Sequence, residues 1–432
     1  MKALVYGVNP VGWATCLWLK HLWSGCVLSR LNGLRLRELP VPPLPADDWV
    51  RCRTILGGIC GSDLGILMQR QPPNSFLQSF ATLPAAMGHE NVAVVEEIGP
   101  GADSHWLGKR VCVDPGLPCR VRGIDPPCQA CAAGRFGACE NFSADGDGAS
   151  ALPPGTSLGY CGPVGGSWSE CFVAHASQLV EVPPGFSDEQ AVLTDPLACS
   201  VHAVNRADLS AAEKVLVYGA GVLGLGVVWA LRAMGYRGGI DAIARHPHQA
   251  ELARRFGASE VLELPRRRRE RFEGISRRTA GRAVRARFGN YMLSGGYDLV
   301  FECVGSRDAI EEALKWARSG GQVVMVGMGH GRGADMTPVW FSELNVIGAF
   351  GRGEEGRQGR KLHTYRLVQE LILSGAADVS CLLTHTFDLS QYKRALTAAI
   401  DKSGHRSVRV AFRFGAAGSA GQGSGAGKGQ GN

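Results

Sequence analysis

Residues Val215 to Gly226 read Val-Leu-Val-Tyr-Gly-Ala-Gly-Val-Leu-Gly-Leu-Gly, and no other stretch constrains the fold as tightly. The apolar start predicts a short buried strand. Glycines at Gly219, Gly221 and Gly224 predict a turn, and apolar helix-forming sequence then runs to Met234. Between a strand and a helix each glycine has a separate use. Gly219 makes the tight turn, Gly221 lets the backbone approach a pyrophosphate, and Gly224 lets the helix pack close to the strand. The helix start at Val222 and Leu223 offers unpaired N–H groups and a positive dipole end to phosphates.

At 432 residues the chain exceeds one ordinary core, which suggests two domains. An apolar fraction of 45% and a charged fraction of 20% suit a soluble globular protein. Fourteen cysteines in so long a chain read as a reduced, cytoplasmic protein with some metal ligands. The net charge of +7 is local. Between Pro265 and Gly289 ten arginines (266–269, 271, 277, 278, 282, 285, 287) face only Glu270 and Glu273, a balance of +8. The rest of the chain is close to neutral, which argues against nucleic acid as the main partner. The run lacks interleaved aromatics and reads as a solvated or disordered loop inserted in the fold.

Val11 to Leu28 is apolar and holds Trp13, Trp18 and Trp23, but Lys20 and His21 interrupt it. It is too broken to span a bilayer and has no clear cleavage site, so no membrane partner is expected. It reads as an amphipathic insertion on the domain surface, over a substrate cleft.

Short strands at Ala3–Tyr6, Leu34–Leu39, Trp49–Leu56, Val92–Ile98 and Lys109–Val113, separated by Gly/Pro turns, predict a β-rich, barrel-like first domain. Residues 119 to 139 hold a cysteine cluster, and Ser143–Gly155 is small, polar and flexible. Asp188–Ala207 reads as a helix. From Val215 strands and helices alternate, with strands at Gly239–Ala244, Glu260–Leu264, Tyr297–Phe301, Gln322–Gly327 and Asn345–Gly348. That is the pattern of a doubly wound parallel α/β sheet. Val408–Phe414 is a strand that can rejoin the first domain. Gly415–Asn432 has the composition of a disordered tail.

GGICGSD (Gly57–Asp63), GHE (Gly88–Glu90), Cys128, Cys131 and Cys139, DPLACSVHA (Asp195–Ala203) and GAGVLG (Gly219–Gly224) occur in the order of one family. Over about residues 30 to 414 the chain resembles the zinc-dependent medium-chain dehydrogenases, such as alcohol, sorbitol and threonine dehydrogenases. The resemblance implies a GroES-like catalytic domain over 1–194, completed by 345–414, and a Rossmann domain over 195–344. Residues 415–432 stay outside both. The arginine-rich and N-terminal insertions are not typical of the family.

The resemblance implies a catalytic Zn²⁺ held by Cys60, His89 and Asp195, with Cys199 as a nearby alternative. Relatives usually have cysteine or glutamate where Asp195 stands, and a carboxylate can ligate zinc. Glu90 would be an adjacent or transiently coordinating carboxylate. The metal would act as a Lewis acid on the substrate oxygen. Ser62 matches the hydroxyl that starts the family's proton relay, but the relay histidine of many relatives falls at Gly65, so another group or water must finish the route. Asp63 would cap or orient its loop. A second, structural zinc is implied by Cys128-x2-Cys131-x7-Cys139. The family's first cysteine of that lobe falls at Asp125, with Cys119 as a competing fourth ligand.

The resemblance also places the ribose-binding position at Ala244, where an NAD site carries an acid. Arg245 follows and can meet a 2′-phosphate, which favours NADP(H) over NAD(H). Asp241, inside the strand, is not expected to serve as the ribose acid. Val304 and Gly327 match positions lining the nicotinamide half. The implied activity is hydride transfer between a small-molecule alcohol, polyol, aldehyde or ketone and the nicotinamide. Two other readings compete: a zinc-free reductase of activated double bonds, and a cofactor-bound protein that holds an anionic partner through its arginines. By resemblance the chain would form a homodimer or homotetramer, with Asn345–Gly348 pairing sheets across copies.

Overall fold

The computed structural model describes residues 1–71, 75–142, 150, 152–357 and 359–415, without the side chain of Ser24. The flexible segment expected within Ser143–Gly155 lies mostly outside the described residues, as does all but the first residue of the tail expected at 415–432.

The two ends of the chain build one β-rich domain. Its main sheet runs Leu383–Asp388, Arg409–Arg413, Trp49–Gly58, Asn91–Ile98, Arg110–Val113, Leu179–Glu181, and Cys171–His175 also pairs with Trp49–Gly58. The C-terminal strand Arg409–Arg413 lies antiparallel to the last residues of Trp49–Gly58, with Ala411 opposite Gly58. A smaller sheet of Leu34–Glu38, Lys2–Tyr6 and Ala85–Ala86 lies beside it.

The second domain is built on six parallel strands in the order Glu260–Leu262, Gly239–Ile243, Lys214–Tyr218, Tyr297–Glu302, Ala317–Met325, Asn345–Gly348. The order reverses direction beside Lys214–Tyr218, and ligands of such sheets bind at the carboxyl ends of the strands at that point. Gly219 has φ +104°, a conformation few side chains tolerate. Gly221 is the N-cap of the helix Val222–Ala233. A Cβ on Gly224 would collide with the Gly219 carbonyl oxygen, so the third glycine is a packing requirement.

Three expectations need correction. Asn345–Gly348 is hydrogen-bonded in parallel to Gln322–Met325. It therefore belongs to the Rossmann sheet, and a boundary at 344 cuts that sheet. The helix expected over Asp188–Ala207 is two helices, Asp188–Val192 and Thr194–Arg206. Pro196, which has no N–H to give, falls in the first turn of the second, where none is required.

The arginine run is not a solvated loop. Arg268–Thr279 is a helix, followed by the hairpin Arg282–Arg285 and Tyr291–Ser294. Phe272 and Ile275 bury against the Rossmann core beside Trp316 and Tyr291. Three arginines turn inward. Arg268 pairs with buried Glu311, Arg271 lies 2.9 Å from buried Glu312, and Arg278 holds both oxygens of Asp241 at 2.8 Å. The sequence count misled because their partners lie far away along the chain.

Candidate active site and cofactor cleft

Strand pairing creates the central cluster. Gly57 lies opposite Asn91 in the antiparallel register, and the Gly58 amide donates to the Glu90 carbonyl at 2.9 Å. This brings Cys60, just after one strand, to His89 and Glu90, just before the other. One ligand atom from each of Cys60, His89 and Glu90 lies within 4.8 Å of the others. Asp195 is not part of this group. Its Oδ1 accepts from the Tyr365 hydroxyl at 2.6 Å and from Arg352 at 3.1 Å, which hold the carboxylate within the cleft wall. The third member of the close set is thus Glu90, where sequence reasoning put Asp195. Cys199 lines the same cleft, also outside the group.

The electrostatics suit a cation. Burial pushes the Cys60 thiol up, but His89 and Arg409 outweigh it and bring the pKa down to about 6. Burial also pushes the Glu90 carboxyl well above its ordinary value, and Arg409, 3.0 Å from Oε1, opposes that. Arg409 faces Glu90 Oε1 and Asp63 faces His89 Nδ1, but the buried Glu90 Oε2 has neither a hydrogen bond nor an ion-pair partner among the described residues. Such an orphaned polar atom is costly. A bound Zn²⁺ with sulfur, nitrogen and oxygen ligands would satisfy it, so the residues fit the metal.

Around the cluster, Asp63 accepts from the Cys60 amide at 3.0 Å and places Oδ1 3.4 Å from His89 Nδ1. It caps and orients, as expected. Sequence reasoning missed Tyr160. Its hydroxyl lies 2.9 Å from Ser62 Oγ and 2.9 Å from Asp63 Oδ1. With one proton to give, Tyr160 donates to the carboxylate and accepts from Ser62. Nothing in the spacing of the sequence marks this tyrosine, which comes from a separate loop. At Gly65 a Cβ would meet only the Met328 methyl, at 4.0 Å.

In the cysteine lobe, Cys119, Cys128, Cys131 and Cys139 offer sulfurs all within 4.8 Å. Asp125 is exposed and takes no part, so the fourth position is corrected to Cys119. The amides of Cys131 and Glu140 donate to the Cys128 sulfur at 3.5 Å, while the Cys128 amide and the Asn141 side chain donate to Cys119. Burial raises the Cys128 thiol, but those two amides help hold it at about 7. Four sulfurs in this arrangement fit a closed tetrahedral zinc.

A cleft of about 1710 Å³ joins the domains. Cys60, Ser62, His89, Glu90 and Asp195 lie on one wall; Gly221, Val222, Leu223, Val304 and Gly327 lie on the other. The space around Gly221 is open, with no atom within 4 Å of a Cβ built there, so a dinucleotide phosphate has room. Ala244 is buried, and Arg245 is exposed with no ion pair among the described residues. Asp241 is fully engaged by Arg278 and by the Tyr297 hydroxyl at 2.8 Å. Tyr6, Val8, Pro10, Trp13 and Ala14 also line the cleft, so the N-terminal insertion covers it.

Two family models match the chain: the alcohol dehydrogenase GroES-like domain over residues 46–184 and zinc-binding dehydrogenase over 222–364. The chain belongs to the zinc-dependent medium-chain dehydrogenase family. Sorbitol dehydrogenase of Arabidopsis thaliana is 27% identical over 388 residues, covering 90% of this chain and 94% of that protein. An Escherichia coli alcohol dehydrogenase solved with NADH superposes with a TM-score of 0.69 at 21% identity, covering 96% of this chain and 99% of the other. A zinc-binding dehydrogenase of Sinorhizobium meliloti bound to NADP gives 0.68 at 22% identity, again over 96% and 99%. This member of the family is an oxidoreductase of the alcohol dehydrogenase type, with a GroES-like domain and a Rossmann domain.

Proposed function

We propose that the chain is a zinc-dependent dehydrogenase that interconverts an alcohol or polyol with its carbonyl and prefers NADP(H). The observation that carries this reading is the closeness of Cys60, His89 and Glu90 on a cleft whose other wall is the glycine turn Gly219–Gly224. When bound, zinc would polarise the substrate oxygen and the nicotinamide would exchange the hydride.

The chain's own residues do the rest. Cys60, His89 and Glu90 would hold the metal, and Arg409 balances the Glu90 charge. Asp195, held by Arg352 and Tyr365, lines the same cleft and adds negative charge to the wall beside the metal ligands. Ser62 Oγ would pass the substrate's proton to the Tyr160 oxygen as Tyr160 passes its own to the Asp63 carboxylate. This supplies a route where Gly65 replaces the expected histidine.

Arg245 beside buried Ala244 supports NADP(H), because a free cation stands where an acid would repel a 2′-phosphate. The sorbitol dehydrogenase relative supports a polyol. Trp13, Ile66, Leu77, Phe80, Leu83 and Phe142 line the cleft and favour an alcohol with an apolar body. The exposed Trp340, Phe341 and Val346 near the sheet edge support pairing of two copies there. The zinc-free reading loses support from the intact cluster, and the anionic-partner reading from the inward pairing of Arg268, Arg271 and Arg278.

Steady-state rates with NADP⁺ and NAD⁺, on sorbitol and on a long-chain primary alcohol, test the reading in metal-loaded protein. Turnover that is lost on chelation and recovered with zinc supports it. Undiminished turnover after complete zinc removal overturns it.

A further inference from the structure

The helix Pro10–Leu19 (PVGWATCLWL) carries no charged side chain. A helix that is apolar all round belongs in a core or against lipid. Only Gly12 and Cys16 of this one are buried. Pro10, Trp13 and Ala14 line the cleft, while Val11 and Trp18, seven residues apart on one stripe, are 77% and 83% exposed. Leu22 and Trp23 continue past the helix at 90% and 53% exposure. Burial in this fold accounts for none of these four side chains.

The segment is net positive. Residues 1 to 38 contain Lys2, Lys20, Arg30, Arg35 and Arg37 against Glu38 alone. Arg30, Arg35 and Arg37 are exposed and form no ion pair among the described residues. Arg35 and Arg37 share one face of the edge strand Leu34–Glu38.

We propose that this N-terminal segment docks the enzyme on an anionic membrane surface. Tryptophan and leucine side chains enter the interface, and the arginines meet lipid phosphates. Two-fold pairing with a second copy is disfavoured, because a two-fold contact sets a patch against itself and would oppose like charges. A separate apolar edge around Trp340 and Phe341 is available for self-association. No described helix is long and apolar enough to cross a bilayer, so the contact is with the surface. This reverses the expectation of no membrane partner. It also sets the cleft-lining face of the same helix next to lipid.

Co-sedimentation of the full chain with vesicles tests it. Vesicles with roughly 30% phosphatidylglycerol should bind about tenfold more tightly than pure phosphatidylcholine, with weaker binding at high salt. Trp18→Ser with Leu22→Ser should lower binding about tenfold and leave turnover on a soluble alcohol unchanged. Arg35→Glu with Arg37→Glu should remove the preference for phosphatidylglycerol. Wild-type protein that pellets with neither vesicle overturns the proposal. So does a Trp18→Ser, Leu22→Ser protein that pellets as before but changes from oligomer to monomer, since that face would then meet another copy.

Discussion

Glu90 and Arg409, from opposite ends of the chain, lie 3.0 Å apart with side chains almost fully excluded from solvent. Breaking such a pair from one side leaves the other charge buried alone. Arg409→Met is expected to lower unfolding free energy by about 3–5 kcal/mol. Urea unfolding of the metal-loaded protein measures it, and a loss below about 1 kcal/mol would mean that Glu90 is already neutral or bound elsewhere.

Metal content separates the two clusters. Cys60→Ser should remove one zinc and abolish turnover, whereas Cys119→Ser should remove a different one and lower thermal stability. Asp125→Asn should do neither, because Asp125 is exposed and apart from the four sulfurs. Atomic absorption on the three variants decides; zinc lost from Asp125→Asn would restore the aspartate to the lobe.

Tyr160→Phe keeps the ring beside His89 and removes the hydroxyl shared by Ser62 and Asp63. Loss of a proton-transfer group typically costs about 10²-fold or more. We expect kcat to fall by that order with the KM for cofactor unchanged. An unaltered kcat and pH profile would take Tyr160 out of the proton route.

Arg245→Ala should raise the KM for NADPH about tenfold, equivalent to about 1.4 kcal/mol, and leave NADH untouched. Equal effects on both cofactors would remove the stated reason for an NADP(H) preference.

Asp114, which also lines the cleft, gives a pH signature. Burial would raise Asp114, but the Arg352 guanidinium and His363 outweigh it and hold the carboxyl well below its ordinary value. A depressed folded pKa adds stability above the unfolded value near 4 and loses it as pH falls further. The stability gap between wild type and Asp114→Asn should be flat from about pH 5 to 8. It should shrink by about 1.4 kcal/mol per unit below about pH 4. A gap that stays constant into acid would show that Asp114 does not titrate this way.

How much of this was legible beforehand follows the range of the interactions. The turn at Gly219–Gly224 was readable because its geometry is local, and Cys60 and His89 because their flanking motifs are short and specific. Asn345–Gly348 was readable as the last strand of the parallel sheet from the strand and helix alternation, and only the boundary at 344, drawn by family analogy, cut it off. Cys119, nine residues before Cys128, was readable only as a competitor to Asp125, and the choice between them needed the folded loop. Tyr160, Arg352 and Arg409 act through contacts across the fold, and no periodicity marks them. The arginine run failed for the same reason: Glu311, Glu312 and Asp241 are counter-ions only in three dimensions.

Arg352 sits just beyond the last strand of the cofactor sheet and holds Asp114 of one domain at 2.6 Å and Asp195, on the helix entering the other, at 3.1 Å. A cofactor-specificity graft therefore cannot treat the Rossmann unit as a cassette. A transplant that ended at Gly348 with a foreign sequence after it would strand two acids in the host. The smallest exchangeable piece carries Arg352 through Tyr365 with it, and a domain swap in this chain must draw its junction around one guanidinium.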